Sequence, residues 1–139
     1  MRQENRYLDP LRLPGIPTHE SIIQSRMDSY TPLYIFHLLF VAPLFLYVGI
    51  VQKNAPSWVF SLLLVLAVGI FLYHASRAWG KLSAGKSAWV NWIHLGLIVP
   101  LLAYVGWNRQ ESSRPYFEML LMLGFTAAGY HGYYLARAV

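Results

Sequence analysis

The sequence predicts an all-α membrane protein with four transmembrane helices, built as two tandem helical hairpins behind a short amphipathic N-terminal arm. Three observations predict this fold class. Of the 139 residues, 56% are hydrophobic and only 12% are charged, whereas a soluble domain is usually about 25% charged and about 45–50% apolar. Four apolar segments of membrane-spanning length follow one another, and the second pair of segments repeats the first.

The predicted arm comprises residues 1–32, and the predicted membrane domain comprises residues 33–139. The arm is polar, contains several prolines and has no apolar run, so we expect no cleavable signal peptide. Between Thr18 and Tyr30, apolar side chains recur on one helical face. This spacing predicts a short helix that lies on the membrane surface.

Each apolar segment has about 19–21 residues, close to the roughly 20 that cross the hydrocarbon core of a bilayer. No Asp, Glu, Lys or Arg lies in the middle of a segment, and the five tryptophans lie at or near segment ends. Tryptophan is enriched at both membrane interfaces, so this placement also predicts transmembrane helices. The segments are roughly 33–51, 58–76, 89–107 and 116–136.

The basic residues predict the orientation of these helices. Four crossings put both termini on one side, and eight of the 11 basic residues lie on that side. The other three, Lys53, Arg109 and Arg114, lie in the opposite loops. The positive-inside rule therefore predicts cytoplasmic termini. Because the positive charge follows membrane side and does not cluster on a soluble face, we expect a lipid bilayer as partner, with membrane proteins or a second copy, and no nucleic acid.

An internal duplication relates the two hairpins, which occupy about 33–80 and 90–137. Residues 37–74 and 94–131 align without a gap at an offset of 57, with 13 identities in 38 positions. The repeated His, Pro, Tyr and Gly residues are not explained by apolar composition alone. Two crossings per repeat predict a parallel repeat about an axis along the membrane normal. The repeated prolines, 43 and 100, predict a kink in each first helix.

Four of the five histidines lie in the apolar segments, and all four belong to the repeat. Two follow the start of the first and third segments by about one turn, and two precede the end of the second and fourth. They are therefore expected at one depth, on the cytoplasmic side. His74 and His131 share helical faces with small and apolar residues and are expected to point into the bundle. The sequence leaves the pairing open: His37 meets His74 within a hairpin, or His94 across the axis.

This cluster predicts a cofactor site. Imidazole is a common metal ligand, but no carboxylate lies nearby to offset a bare cation in low dielectric. A tetrapyrrole brings its own negative charge, and histidine is a common axial ligand of haem. The most specific expectation is therefore b-type haem or another tetrapyrrole, with copper or zinc less favoured. Tyr73 and Tyr130 are expected beside it, and the predicted metal ligands are His37, His74, His94 and His131.

Electron transfer is the activity that such a site predicts, and other enzyme classes fit poorly. A nucleophilic hydrolase needs an orienting acid that the membrane segments do not offer, and the sequence has no glycine-rich phosphate loop for a transferase. The absence of cysteine excludes disulfides and cysteine-held clusters. The alternative is a non-catalytic subunit that scaffolds or assembles a larger membrane complex. Proton or ion conduction along the histidines is a weaker third option, because no continuous polar path is evident.

Overall fold

A computed structural model describes residues 30–138, and the predicted surface helix of the arm lies outside the described residues. The described part contains four long helices and no strand. Residues 30–32, which the sequence analysis assigned to the arm, are helical and belong to the first of them. The helices are α1 (Tyr30–Asn54), α2 (Ser57–Ser83), α3 (Trp89–Glu111) and α4 (Arg114–Ala138).

The helices are longer than the apolar segments, and in α2 the added residues include arginine and lysine, which are good helix formers. α2 continues through Arg77 and Lys81 to Ser83. It then stops at Gly85, whose φ of +66° is a left-handed conformation that glycine adopts without steric cost. The Lys86 N–H donates to the Lys81 carbonyl at 2.8 Å, which satisfies one carbonyl of the last turn.

Three of the helices, α1, α2 and α3, are long and apolar enough to cross a membrane. α4 has 25 residues but does not reach the same hydropathy, since Glu118, Thr126 and several glycines and tyrosines interrupt its apolar residues. Large apolar side chains in the middle of the helices are exposed, which is compatible with a lipid environment. Examples are Leu39, Val65 and Met122, which are 76%, 68% and 68% exposed.

The helices pack in two antiparallel pairs, α1 with α4 and α2 with α3. In the first pair, Gly49 lies against Leu121 near one end, and Leu38 lies near Gly132 towards the other. In the second pair, Gly106 lies against Leu64. Each of these pairs joins a helix of the first sequence repeat to a helix of the second.

The core is built from residues that the sequence repeat relates. Phe60 and Phe117 meet edge to face at its centre, with ring centroids 6.5 Å apart and an interplanar angle of 66°. The burial of these rings confirms the inward faces expected for α2 and α4. Four equivalent pairs are at most 2% exposed: Phe45 and Leu102, Val48 and Val105, Phe60 and Phe117, Leu63 and Leu120.

The two repeated prolines each follow a widened helical turn. A π-turn covers His37–Val41 in α1 and His94–Ile98 in α3. In α1 the Ala42 N–H donates to the His37 carbonyl, five residues back, just before Pro43. Proline has no N–H for the carbonyl four residues earlier, so the regular ladder is interrupted there. A wide turn that starts at the histidine thus lies just before each proline, where the sequence predicts a kink.

Candidate functional site: two stacked histidine pairs

The four repeated histidines form two stacked pairs. The rings of His37 and His131 lie face to face with centroids 4.1 Å apart and an interplanar angle of 30°. The rings of His74 and His94 lie 3.8 Å apart at 10°. All four side chains are half-buried. The structure thus pairs His37 with neither His74 nor His94, because α1 packs on α4 and α2 packs on α3.

His37 and His94, the two histidines at which the π-turns start, are called the inner histidines, and His74 and His131 the outer ones. The inner histidines make the same backbone hydrogen bond. The Nδ1 atom of His37 lies 2.8 Å from the Leu33 carbonyl, and that of His94 lies 2.8 Å from the Val90 carbonyl. A carbonyl only accepts, so Nδ1 carries the proton in both rings. In the neutral ring this leaves a lone pair on Nε2. A backbone bond at one nitrogen that fixes the tautomer is typical of metal-ligating histidines.

The outer histidine of α2, His74, is held by a polar chain. Lys81 Nζ donates to Asn91 Oδ1 at 3.1 Å, and Asn91 Nδ2 lies 3.2 Å from His74 Nδ1. An ammonium group only donates, so the amide oxygen faces Lys81 and the amide N–H donates to His74. Asn91 is only 4% exposed. In the neutral ring, the proton of His74 therefore lies on Nε2.

The outer histidine of α4, His131, has different surroundings. Its Nδ1 atom is buried and has no hydrogen-bond partner among the described residues. Besides His37, its ring contacts Tyr34, with centroids 5.7 Å apart. At the offset of 57, Tyr34 corresponds to Asn91 and Ala138 corresponds to Lys81. The polar chain at the His74–His94 pair therefore has no counterpart at these positions in the His37–His131 pair.

The two tyrosines predicted to lie beside a cofactor are at the rim of the cluster. Tyr73 meets His74 edge to face, and Tyr130 meets His131 in the same way, each with centroids 5.1 Å apart. Tyr73 is 54% exposed and Tyr130 is 48% exposed. Both rings thus lie next to the outer histidines, and Tyr130 also contacts Tyr134, with centroids 4.8 Å apart. Their role towards a cofactor stays a prediction.

Neither Asn91 nor Tyr34 was predicted from the sequence to be part of the site. The signal that was available is the position of Asn91, a polar amide inside an apolar segment three residues before His94. A polar group at such a place is costly in a membrane unless it has partners. The two repeats also differ at this position, since Tyr34 of the first repeat corresponds to Asn91 of the second.

The stacks do not themselves form a bare-metal site. Among the described residues, no group of three or more His, Cys, Asp or Glu side chains is arranged to hold a metal ion. Nearly parallel rings direct their lone pairs along separate planes and not towards one point. The acidic residues of the described part, Glu111 and Glu118, belong to the opposite end of α3 and α4.

Comparison of the chain with protein-family models, curated proteins and solved structures gives no match. The class of protein is therefore defined by its fold and site alone. It is a helical bundle with three apolar helices of membrane-spanning length and two stacked histidine pairs at one end.

Proposed function

We propose that the chain is a four-pass integral membrane protein with both termini in the cytoplasm, built as a parallel repeat. α4 lies along α1 between the contacts of Gly49 with Leu121 and of His37 with His131. If α1 crosses the membrane, α4 therefore spans the same thickness of the bilayer. The contact of Gly49 with Leu121 has its equivalent in that of Gly106 with Leu64, which supports the repeat.

The absence of cysteine makes this topology directly testable. Single cysteines replace Lys53, Lys86, Arg114 and Arg137, and intact cells are treated with a membrane-impermeant maleimide. We expect labelling at positions 53 and 114 only, with 86 and 137 labelled after lysis. Labelling of Arg137→Cys in intact cells would mean that α4 does not cross.

For the histidine cluster, the proposed function is axial ligation of a tetrapyrrole, b-type haem first, in an electron-transfer module. The observation that carries it is the matched bond of His37 and His94. In both, Nδ1 is engaged at 2.8 Å by the carbonyl four residues earlier, and Nε2 is left with its lone pair. Neutral imidazole with a fixed tautomer is the form that ligates haem iron.

The charges around the cluster also favour a tetrapyrrole over a bare ion. Lys81 is the charged group bonded into the site through Asn91, and the carboxylates of the described residues lie at the other end. A bare dication would therefore add uncompensated positive charge in low dielectric. The macrocycle brings its own negative charge, and Arg77 and Lys81 near the end of α2 suit its propionates.

The stacks restrict how such a group binds. Rings with centroids 3.8 or 4.1 Å apart leave no room for a macrocycle inside a stack. Ligation from two sides therefore takes one ring from each stack. His37 and His94 are equivalent in the repeat, belong to different stacks and share the same backbone hydrogen bond at Nδ1, so they are the proposed pair.

The test is an absorption spectrum of the full chain, expressed in membranes, purified in detergent and measured before and after dithionite. Haem gives a Soret band that sharpens and shifts on reduction, whereas a red band indicates a chlorophyll-type pigment. His37→Ala and His94→Ala should each lose the band, and Tyr104→Phe, in the other half of α3, should keep it. Metal analysis of the same sample reports copper or zinc.

A second candidate function, a structural subunit of a membrane complex, is favoured by the stacks themselves. The imidazoles already contact one another and join α1 to α4 and α2 to α3. In that case the spectrum is featureless and the metal content is zero. The histidine variants then change the stability of the bundle and not its colour.

A further inference from the structure

The two halves of the cluster differ at one equivalent position, three residues before each inner histidine. In α3 this residue is Asn91, whose amide reaches across to α2 and donates to His74 Nδ1 at 3.2 Å. In α1 it is Tyr34, whose ring lies against His131. The Nδ1 atom of His131 is left without a hydrogen-bond partner in the described part of the chain.

This difference determines which nitrogen each outer histidine offers. In neutral His74, Nδ1 is occupied as an acceptor, so Nε2 carries the proton and is a hydrogen-bond donor. Ligation of a metal centre needs an unprotonated nitrogen with a free lone pair. His74 has none while Asn91 holds it, whereas no such bond constrains His131.

We infer that Asn91 is a positioning residue that makes the cluster asymmetric. It keeps His74 as a donor through Nε2 and so removes it from ligation, while the proposed pair, His37 and His94, keep their lone pairs and no such bond constrains His131. Lys81 contributes by orienting the amide, because its ammonium group binds Oδ1 and turns Nδ2 towards His74. The tautomer follows from these contacts alone, while the ligand set rests on the proposed function.

The first test reads the tautomer directly by NMR of the full chain, labelled with ¹⁵N-histidine and held in detergent micelles at alkaline pH. His74 should carry its proton on Nε2. Asn91→Asp keeps the shape and still accepts from Lys81, but an ionised carboxylate cannot donate. The proton of His74 should therefore move to Nδ1 in this variant. Tyr34→Phe is the matched control and should leave His74 unchanged.

Two NMR results would overturn the inference. One is a proton on Nδ1 of His74 in the unmodified chain, and the other is an unchanged tautomer in Asn91→Asp. Both are read on His74 itself and need no bound cofactor. Loss of the His37 signals identifies a misfolded Asn91→Asp variant. In that case Asn91→Ser, which keeps a small donor, replaces it. The proton of His74 should then stay on Nε2.

The second test is a haem titration of the same samples. His37→Ala and His94→Ala should each lower haem affinity about tenfold more than His74→Ala does, as expected when the first two residues are ligands and His74 is not. Equal losses would overturn the asymmetric ligand set. If the unmodified chain binds no haem, the proposed function and this ligand set both fail, while the NMR result still decides the role of Asn91.

Discussion

Gly49 of α1 and Leu121 of α4 approach so closely that their backbones are in contact. A Cβ atom placed on Gly49 would lie 2.6 Å from the Leu121 Cβ and 2.7 Å from its Cα. In the other helix pair, a Cβ on Gly106 would lie 2.8 Å from the Leu64 Cγ and 2.9 Å from the Phe60 carbonyl oxygen. Small residues allow helices to approach this closely in membranes, where dispersion forces drive packing. The two glycines therefore mark one close approach in each helix pair.

Gly49→Ala should destabilise the protein by about 1–3 kcal/mol, the usual cost of forcing an extra carbon into a packed contact. The cost arises because the obstructing atoms at Leu121 belong to the backbone and Cβ, which cannot move aside as the end of a flexible side chain can. The free energy of unfolding in detergent measures the effect.

The matched control for this substitution is Gly69→Ala in α2, where a Cβ meets nothing within 4 Å. There the change should be neutral or stabilising by up to about 1 kcal/mol, since alanine favours the helix over glycine. Equal losses at the two positions would show that the crossing at Gly49 is not tight.

Gln52→Gly should stabilise the protein by about 1 kcal/mol. Gln52 has φ of 54° and ψ of −130°, a region that strains residues with a side chain. Glycine adopts it freely. Gln52→Ala removes the same polar group but keeps the Cβ, so it is the control and should give no gain. Arg109, at the equivalent position with φ of 53°, should respond in the same way in thermal unfolding.

The stack of His37 on His131 should show an energetic coupling of about 0.5–1.5 kcal/mol, as aromatic pairs do beyond their buried area. The measurement is a double-mutant cycle with both single alanine variants and the double variant. The control is a second cycle with His37 and Tyr104, which lies in the half of α3 that does not contain His94. The effects of these two substitutions on stability should be additive. Additivity of the His37 and His131 substitutions would show that the stack contributes nothing to stability.

Pro43→Ala should reorganise the first histidine pair without unfolding α1. Alanine restores an N–H that can donate to the Leu39 carbonyl, which favours a regular α-turn over the π-turn at His37–Val41. His37 then rotates relative to the rest of the helix and leaves His131. The ¹³C and ¹H shifts of the His131 ring report this, since the ring current of His37 is lost.

Pro56→Ala is the corresponding control, because Pro56 lies in the connection before α2. It should leave the histidine shifts as they are. Unchanged His131 shifts in Pro43→Ala, with helix content preserved in circular dichroism, would show that the wide turn does not depend on the proline.

Much of the helix architecture is predictable from local patterns in the sequence. The apolar faces of α2 and α4 place Phe60 and Phe117 inward, and both rings are at most 1% exposed. Helical periodicity fixes which side of a helix is buried. For the same reason, the sequence predicts that His74 and His131 point towards neighbouring helices, and each stacks on a histidine of the adjacent one.

The pairing of the histidines was not predictable in this way. Periodicity describes one helix at a time and does not say which helix lies beside it. The hairpin connections suggested that α1 and α2 would be neighbours, but the closest packing joins α1 to α4. The contact of Asn91 with His74 joins α3 to α2, so it also depends on which helices are neighbours.

The packing of α1 on α4 has a consequence for how the protein is made. α1 is the first and α4 the fourth of the described helices, so α1 is synthesised before α4. α2 and α3 are joined by a short connection and can associate as soon as both have emerged. The packing of α1 therefore waits for the 25 residues of α4, and a chain that lacks α4 leaves the notch at Gly49 without Leu121, the residue that fills it.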